Sequence, residues 1–167
     1  MTRLLHLSDL HFGRDRPELL QPLLDTIADI APDLVVVSGD FTQRARVSQF
    51  GRAAHFLEQL DQPWLAVPGN HDTPLDNLWV RLLAPWKRYR RAISRDLEPR
   101  FSNDEVVVTG VNTVNPLAWQ RGRLSRRRVA RACEGFSDAG ARACVVVLHH
   151  PLQHGPDEAK RPPRGAG

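Results

Sequence analysis

Residues suited to metal binding and proton transfer follow one another at Gly69-Asn70-His71-Asp72, directly after the apolar run 64–68. The amide oxygen of Asn70 can bind a hard cation, the His71 imidazole can donate or accept a proton, and Gly69 permits a tight turn. One such cluster could equally be an ordinary polar turn. Polar residues follow an apolar run at three further places in the chain, however, and this repetition favours a shared site.

The three further clusters supply carboxylates and imidazoles: Asp9 with His11, then Asp40, then His149 with His150. The Asp-x-His spacing places Asp9 and His11 on the same side of an extended segment. Carboxylate, imidazole and amide ligands together suit Mn²⁺, Fe²⁺ or Zn²⁺. Asp40 could bridge two ions, and two ions roughly 3.5–4 Å apart can activate water and polarise a phosphoryl oxygen.

Each of these residues also has an ordinary structural interpretation. Asp9 and Asp40 could be helix N-caps, His11 could be a surface residue, and His149 and His150 could belong to a loop. Taken one at a time, these interpretations are as good as metal binding. It is improbable that residues able to bind a metal would follow four separate apolar strands by chance, and we therefore predict a metal site.

The hydrophobic pattern predicts the elements that must position these residues. Strands are expected over 3–8, 33–38, 63–68 and 143–148, with paired strands or a hairpin around 106–108 and 110–112. Helices are expected over 17–30, 47–60, 77–92 with an interruption near Ala84-Pro85, and 125–132 with Ser125 as N-cap. Strands that alternate with helices predict an α/β fold with a mostly parallel sheet, whose ligands collect at the carboxyl ends of the strands.

Length and composition indicate a single soluble domain. The 167 residues are 41% hydrophobic and 25% charged, and no apolar run reaches about 18 residues, so no transmembrane helix is expected. The polar N-terminus does not resemble a signal peptide. Cys133 and Cys144 are predicted to be reduced, partly buried thiols of a cytoplasmic protein. The sequence does not predict an oligomeric state.

The charges are unevenly distributed along the chain. Residues 81–131 carry 13 Lys and Arg against 4 Asp and Glu, although the net charge of the whole chain is only +4. This segment could bind phosphate-rich partners such as nucleic acid, or it could form solvated helix faces. We favour solvated faces and expect only weak binding of nucleic acid.

Taken together, the motifs resemble those of the calcineurin-like metallophosphoesterase superfamily, over residues 3 to about 152. The matching motifs are Asp9-Leu10-His11, Gly39-Asp40, Gly69-Asn70-His71-Asp72 and His149-His150-Pro151. The segments 8–13, 110–113 and 122–125 are similar to those of bacterial cyclic-nucleotide phosphodiesterases of the Icc type. The resemblance implies a four-layer α/β/β/α sandwich with a dinuclear metal site.

The resemblance also implies roles for the individual residues. Asp9 and His11 would bind the first divalent ion, Asp40 would bridge, and Asn70 and His149 would bind the second. His71 would protonate the leaving oxygen or steady the phosphate, with Asp72 beside it as the second catalytic candidate. His150 occupies a position that the family does not reserve for a ligand.

One family motif has no counterpart in this sequence. The family completes its site with Gly-His-x-His, whereas the only histidine after His150 is His154, followed by an Arg- and Pro-rich tail. The resemblance therefore predicts a metallophosphoesterase domain over 1–152, incomplete at its C-terminus, and a disordered tail over 153–167. It also predicts impaired activity.

Three functions are compatible with these observations. The first is metal-dependent hydrolysis of a phosphomonoester or phosphodiester, with cyclic nucleotides among the candidate substrates. The second is a nuclease-like enzyme that acts on DNA. The third is a non-catalytic binding module, or an inactive fragment of such an enzyme, which the missing motif favours.

Overall fold

Two three-stranded sheets lie at the centre of the part of the chain that this computed structural model describes, residues 1–118 and 121–152. The strands are β1 (Leu4–Leu7), β2 (Leu34–Val37), β3 (Trp64–Ala66), β4 (Arg100–Ser102), β5 (Val106–Gly110) and β6 (Ala143–Val147). The helices are α1 (Leu20–Ile30), α2 (Val47–Glu58), α3 (Leu78–Leu83), α4 (Lys87–Ala92) and α5 (Arg126–Glu134). A short 3-10 turn precedes α1, and another covers Asn70–Asp72.

The first sheet is parallel and has the order β1-β2-β3. Its central strand β2 is buried along its whole length, which explains the continuous Leu-Val-Val-Val run, because a parallel strand covered on both faces has no polar side. The second sheet has the order β4-β5-β6, with β4 antiparallel and β6 parallel to β5.

The core has two parts, one on each face of the first sheet. Val35 and Val37 of β2 pack against Phe50 of α2 and Tyr89 of α4, together with residues of α1. On the other face, side chains from both sheets pack together: Leu34, Val36, Leu65, Val67, Val106, Val108 and Val147. The first sheet is therefore covered by helices on one face and by the second sheet on the other.

Helix α5 supplies the fourth layer. It is followed by Gly135, where a Cβ atom would lie only 2.8 Å from Oγ1 of Thr109 on β5. Arg100 of β4 also donates a hydrogen bond from Nε to the Gly135 carbonyl at 2.8 Å. Because Thr109 alternates with the inward-facing Val106 and Val108, α5 ends against the outer face of the second sheet. The predicted α/β/β/α sandwich is confirmed in these residues.

Most of the predicted helices and strands are present, but they are shorter than the ranges expected from the sequence. The helix predicted over 77–92 is divided into α3 and α4 at Ala84-Pro85, as expected, and the Ser125 hydroxyl accepts a hydrogen bond from the Arg128 N–H at the start of α5. The expected pairing of 106–108 with 110–112 was wrong. The antiparallel partner of β5 is β4, which has only three residues and one half-buried side chain and so gives no hydrophobic pattern.

The expected burial of the cysteines was also wrong. Cys133 and Cys144 are free thiols, as predicted, but both are exposed. Cys133 lies on α5, none of whose residues is buried, and Cys144 lies on the edge strand β6. Separately, none of the helices found in residues 1–118 and 121–152 is long and apolar enough to span a membrane. The tail predicted over 153–167 lies outside the described residues.

Candidate metal centre

The loops that follow β1 and β2 run side by side and carry three of the candidate ligands. The Asp9 N–H donates to the Gly39 carbonyl at 3.2 Å, and the His11 N–H donates to the Asp40 carbonyl at 3.0 Å. Asp9, His11 and Asp40 all have left-handed backbone, with φ values of 58°, 46° and 53°. The expected extended Asp-x-His segment was therefore wrong, and the loop curls to place both side chains together. Left-handed backbone is strained in residues other than glycine, and strain of this kind concentrates at functional sites.

The Asp40 carboxylate lies at the centre of the cluster and is only 3% exposed. Its Oδ1 accepts a hydrogen bond from the His71 N–H at 2.8 Å and lies 3.5 Å from His149 Nε2. Its Oδ2 lies 3.7 Å from His11 Nε2. Asp40 thus faces histidines from three different loops, and each of its two oxygens is near a different imidazole.

Two groups of possible ligands share Asp40. In the first, ligand atoms of His11, Asp40 and His71 lie within 4.8 Å of one another, and in the second those of Asp9, Asp40 and His149 do. Asp9 Oδ1 also lies 3.5 Å from His11 Nε2, which connects the two groups. In these groups His71 lies near His11 and Asp9 lies near His149, whereas the resemblance implies Asp9 with His11 and Asn70 with His149.

The hydrogen bonds of His149 fit a cation site. Its Nδ1 lies 2.7 Å from the Ser38 carbonyl, which can only accept, so in the neutral imidazole Nδ1 carries the proton and Nε2 has the lone pair. That Nε2 lies 3.1 Å from the amide oxygen of Asn70. Three electron-pair donors therefore lie close together: His149 Nε2, the Asn70 amide oxygen and the Asp40 carboxylate. A bound cation would relieve the repulsion between them, and we conclude that the residues present fit a divalent ion.

His11 provides a second indication of the same kind. Its Nδ1 is buried and has no hydrogen-bond partner among the described residues. The other ring nitrogen, Nε2, faces the carboxylates of Asp9 and Asp40. Buried polar atoms are normally satisfied, and an unsatisfied one calls for an explanation. An imidazole between two carboxylates suits a site where a cation joins the group.

His71 lies at the mouth of the centre. It lines an open cleft of about 480 Å³ together with Asp9, Leu10, His11, Arg14, Asp15 and Gln43. Its Nδ1 lies 2.7 Å from the Gln43 carbonyl, so this nitrogen donates and Nε2 remains available for a proton or a ligand. The His71 and His11 rings also meet edge to face, with their centroids 4.9 Å apart, and this contact further restricts the His71 imidazole.

Asp72 lies beneath the centre rather than in the cleft, and it is fully buried. Its carboxylate accepts hydrogen bonds from the N–H groups of Phe41 (3.3 Å), Thr42 (3.0 Å) and Gly69 (2.9 Å). Burial, and next the charge of Asp40, raises the pKa of Asp72 to about 7, while these hydrogen bonds lower it. Asp72 joins the loop after β2 to the turn after β3 and so acts on the ligands through the backbone.

The remaining candidate, His150, faces a neighbouring loop. Its Nδ1 lies 2.8 Å from Oγ1 of Thr113, which also accepts the His150 N–H at 3.3 Å. His154, the only later histidine, lies outside the described residues. Neither Asp9 nor Asp40 caps a helix, because α1 is preceded by a turn capped at Arg16 and α2 is capped at Arg46. This excludes the N-cap interpretation of the two carboxylates.

Sequence reasoning missed several residues that hold the imidazoles. Ser38 and Gln43 act through their main-chain carbonyls, which any residue type could supply, so no sequence signal marks them. Thr42 donates through its hydroxyl to the His71 carbonyl at 3.1 Å. Its position two residues after Asp40 was the only signal available for it.

The fold and the cluster are those of a metal-binding α/β/β/α sandwich. The family model described as calcineurin-like phosphoesterase matches residues 2–164. The chain belongs to the calcineurin-like phosphoesterase family, as its motifs predicted.

Among curated proteins, the chain is similar to the glycerophosphodiester phosphodiesterase GpdQ of Enterobacter lignolyticus. The identity is 32% over 162 residues, which cover 89% of this chain and 56% of that protein. It is also 21% identical over 155 residues to a probable cyclic nucleotide phosphodiesterase of Vesicomyosocius okutanii, covering 89% of this chain and 61% of that one. The chain thus spans little more than half the length of these relatives.

A solved structure supports the fold. A dimetal phosphatase from Danio rerio superposes with a TM-score of 0.61, covering 91% of this chain and 70% of that one. The sequence identity is 13%, so this similarity concerns the fold alone.

Proposed function

We propose that this protein is a phosphoesterase that depends on divalent metal ions and acts on phosphodiesters. The observation that carries the proposal is the sharing of Asp40 by two groups of ligand atoms, of which Asp9, His11 and His71 line an open cleft. The similarity to two phosphodiesterases favours diesters, among them glycerophosphodiesters and cyclic nucleotides, as the substrate class.

The residues that would hold the ions are Asp9, His11, Asp40, Asn70 and His149, with Asp40 between the two positions. Their donor set suits Mn²⁺, Fe²⁺ or Zn²⁺. When bound, such ions would polarise a phosphoryl oxygen and lower the pKa of water. The chain's own contribution is to orient the imidazoles, which it does through the carbonyls of Ser38 and Gln43.

His71 is proposed as the general acid. Because its Nδ1 proton is held by the Gln43 carbonyl, the free Nε2 is the atom that can deliver a proton to the leaving oxygen. Its position at the mouth of the cleft suits contact with substrate. The carboxylate of Asp72 would hold the His71 turn in place without touching substrate.

Arg14 is proposed to orient the phosphate group. It lines the cleft, and its guanidinium forms no ion pair or hydrogen bond with other described residues. The neighbouring Asp15, by contrast, is paired with Arg52 at 2.5 Å. A guanidinium can bind two phosphate oxygens at once, which would align the ester with His71.

The proposal is tested by hydrolysis of bis(p-nitrophenyl) phosphate with saturating Mn²⁺, for the wild-type chain and two His→Ala variants. His71→Ala should lower kcat by roughly 10²–10⁴-fold if His71 is the general acid. The matched control is His55→Ala, which removes an exposed imidazole of α2 that does not line the cleft. Equal rates for the two variants would contradict the role of His71.

The same experiment separates the alternatives. Binding of Mn²⁺ without hydrolysis of any ester would favour a non-catalytic module. Cleavage of single-stranded DNA in preference to small diesters would favour a nuclease-like enzyme. Titration of Mn²⁺ into metal-free protein supplies the binding measurement.

A further inference from the structure

A second cleft, lined by arginines, lies apart from the metal cluster. Its volume is about 420 Å³, and its walls are the loop Val114–Pro116 and the first turns of α5. Four of its lining residues are arginines: Arg123, Arg127, Arg128 and Arg131. Residues 121–131 contain six arginines and no acidic residue, and only 122–125 of this segment is similar to the cyclic-nucleotide phosphodiesterases. We refer to this feature as the arginine cleft.

The positive charge of the arginine cleft is only partly neutralised. Arg128 and Arg131 share a single carboxylate, Glu98, at 3.7 Å and 2.6 Å. The guanidinium groups of Arg123 and Arg127 form no ion pair and no hydrogen bond within the part of the chain that the structure describes. Two of the four guanidinium groups thus share one carboxylate, and the other two have no acidic partner among the described residues. Like charges held together repel, and an anion between them would remove that repulsion.

The arginine cleft lies at the same end of the fold as the metal cluster. β5, α5 and β6 form a parallel crossover, so the start of α5 lies at the carboxyl end of β5. Thr113 links the loop before α5 to the loop that carries His149 and His150. Its carbonyl accepts a hydrogen bond from the Arg123 N–H at 2.7 Å, and its hydroxyl contacts His150, which follows His149. A Cβ on Gly122 would lie 2.5 Å from the His150 ring, which shows how closely the two loops approach.

We propose that the arginine cleft is an anion subsite that binds a second phosphate group of the substrate. This inference rests on the proposed function and narrows its substrate class to phosphodiesters with another phosphate besides the scissile one. Guanidinium groups suit this ligand because each offers paired donors that match two phosphate oxygens. Arg123 and Arg127 supply the specificity, because their donors are not engaged by other described residues.

The first test measures anion binding without any catalysis. Metal ions are first removed from the 167-residue chain on a chelating resin, and pyrophosphate is then titrated calorimetrically at low salt, so that no bound metal ion contributes. The double substitution Arg123→Gln and Arg127→Gln should weaken binding by at least about tenfold. The matched control is Arg90→Gln with Arg91→Gln, two exposed arginines of α4 that carry the same charge change. Equal weakening in both pairs would overturn the proposal, because it would reflect net charge alone.

The second test asks whether the bound anion belongs to the substrate. Thymidine 5′-(p-nitrophenyl phosphate) is compared with the same ester carrying a 3′-phosphate, in saturating Mn²⁺. The wild-type chain should have a higher kcat/KM for the 3′-phosphorylated ester, and the double variant should lose this preference through KM. The subsite would be overturned if the double variant kept the preference for the 3′-phosphorylated ester. It would also be overturned if the wild-type chain showed no such preference.

The two tests fail in distinguishable ways. If neither ester is hydrolysed, the proposed function fails, and the pyrophosphate titration still decides whether the arginine cleft binds anions. If the double variant loses affinity for a single-stranded oligonucleotide but keeps its affinity for pyrophosphate, the arginines form a nucleic-acid surface. That outcome overturns the proposal.

Discussion

Asp40 is the residue whose surroundings most sharply define the candidate centre. Its two oxygens face different histidines, and its side chain is almost completely removed from solvent. A buried carboxylate without a full set of donors is costly, and binding to cations is one way to offset that cost. Within the described part of the chain, the Asn70 amide, by contrast, has its hydrogen-bond contact with His149. The two residues should therefore differ in how many ions depend on them.

We expect Asp40→Ala to weaken both metal sites and Asn70→Ala to weaken mainly one. Loss of a direct ligand should lower the affinity by more than the roughly 10–100-fold that loss of an outer partner costs. Titration of Mn²⁺ into metal-free protein, with stoichiometry measured at equilibrium, distinguishes one lost site from two. Asp29→Ala, an exposed carboxylate of α1, is the control and should bind like the wild type. Identical single-site losses in the two test variants would contradict the bridging role.

Asp72 differs from its neighbours in that it stabilises the loops. Asp72→Ala would leave the buried N–H groups of Phe41, Thr42 and Gly69 without their acceptor. Each unsatisfied buried group costs about 1–3 kcal/mol, so we expect a loss of roughly 3 kcal/mol or more in the free energy of unfolding. Urea denaturation of metal-free protein measures it. A loss below 1 kcal/mol, or one equal to that of Asp29→Ala, would show that Asp72 does not hold the loops together.

At the scale of elements, the turns after β2 and β3 depend on two glycines. Gly39 has a φ of 95°, and a Cβ there would lie 2.6 Å from the Gly69 nitrogen. A Cβ on Gly69 would lie 2.1 Å from Oδ1 of Asp40. The two turns thus pack backbone against backbone, which is what allows the Asp40 carboxylate to reach the His71 N–H.

We predict that Gly69→Ala destabilises the protein and displaces Asp40. The backbone must shift to accept the methyl group, at a cost of roughly 1–3 kcal/mol, and Mn²⁺ affinity should fall with it. Gly51→Ala in α2 is the matched control. A Cβ at Gly51 meets nothing within 4 Å, so alanine should stabilise the helix by about 0.5–1 kcal/mol. Thermal unfolding and Mn²⁺ titration of both variants test these two predictions. Unchanged metal affinity in Gly69→Ala would contradict the prediction that the methyl group displaces Asp40.

At the scale of the whole molecule, the basic segment 81–131 is divided between opposite layers. The cluster at Lys87–Arg91 lies on α4, which packs on the outer face of the first sheet through Tyr89. The cluster at Arg126–Arg131 lies on α5, at the outer face of the second sheet. One nucleic-acid strand would have to wrap around the sandwich to contact both. This separation argues against one continuous surface that binds nucleic acid through both clusters.

We therefore predict weak binding of single-stranded DNA with a shallow salt dependence. If only the arginines of α5 contact phosphates, the slope of log K against log salt should reflect about four contacts rather than all the basic residues of the segment. Fluorescence anisotropy at several salt concentrations measures the slope. Tight binding that persists at high salt, or a slope near ten, would show that both basic clusters contact the nucleic acid.

The sequence by itself determined the strands and helices that have strong hydrophobic periodicity, and it determined which residue types end the strands. The run that became β2 is apolar because that strand lies inside the sandwich, whereas β6 lies at an edge of its sheet and is mostly exposed. Parallel strands bring their carboxyl ends to one edge of the sheet. That physical constraint made the clustering of Asp9, Asp40, Asn70 and His149 predictable before any coordinates. The family followed from the same motifs.

Only the tertiary structure decided the conformations and contacts within that cluster. The left-handed backbone of Asp9 and His11, the carbonyls that orient His71 and His149, and the buried position of Asp72 depend on loops packed against one another. Hydrogen bonds to main-chain atoms leave no trace in residue type. The arginine cleft has the same origin: its arginines are visible in the sequence, but the crossover of α5 and the contact at Thr113 bring them beside the metal cluster.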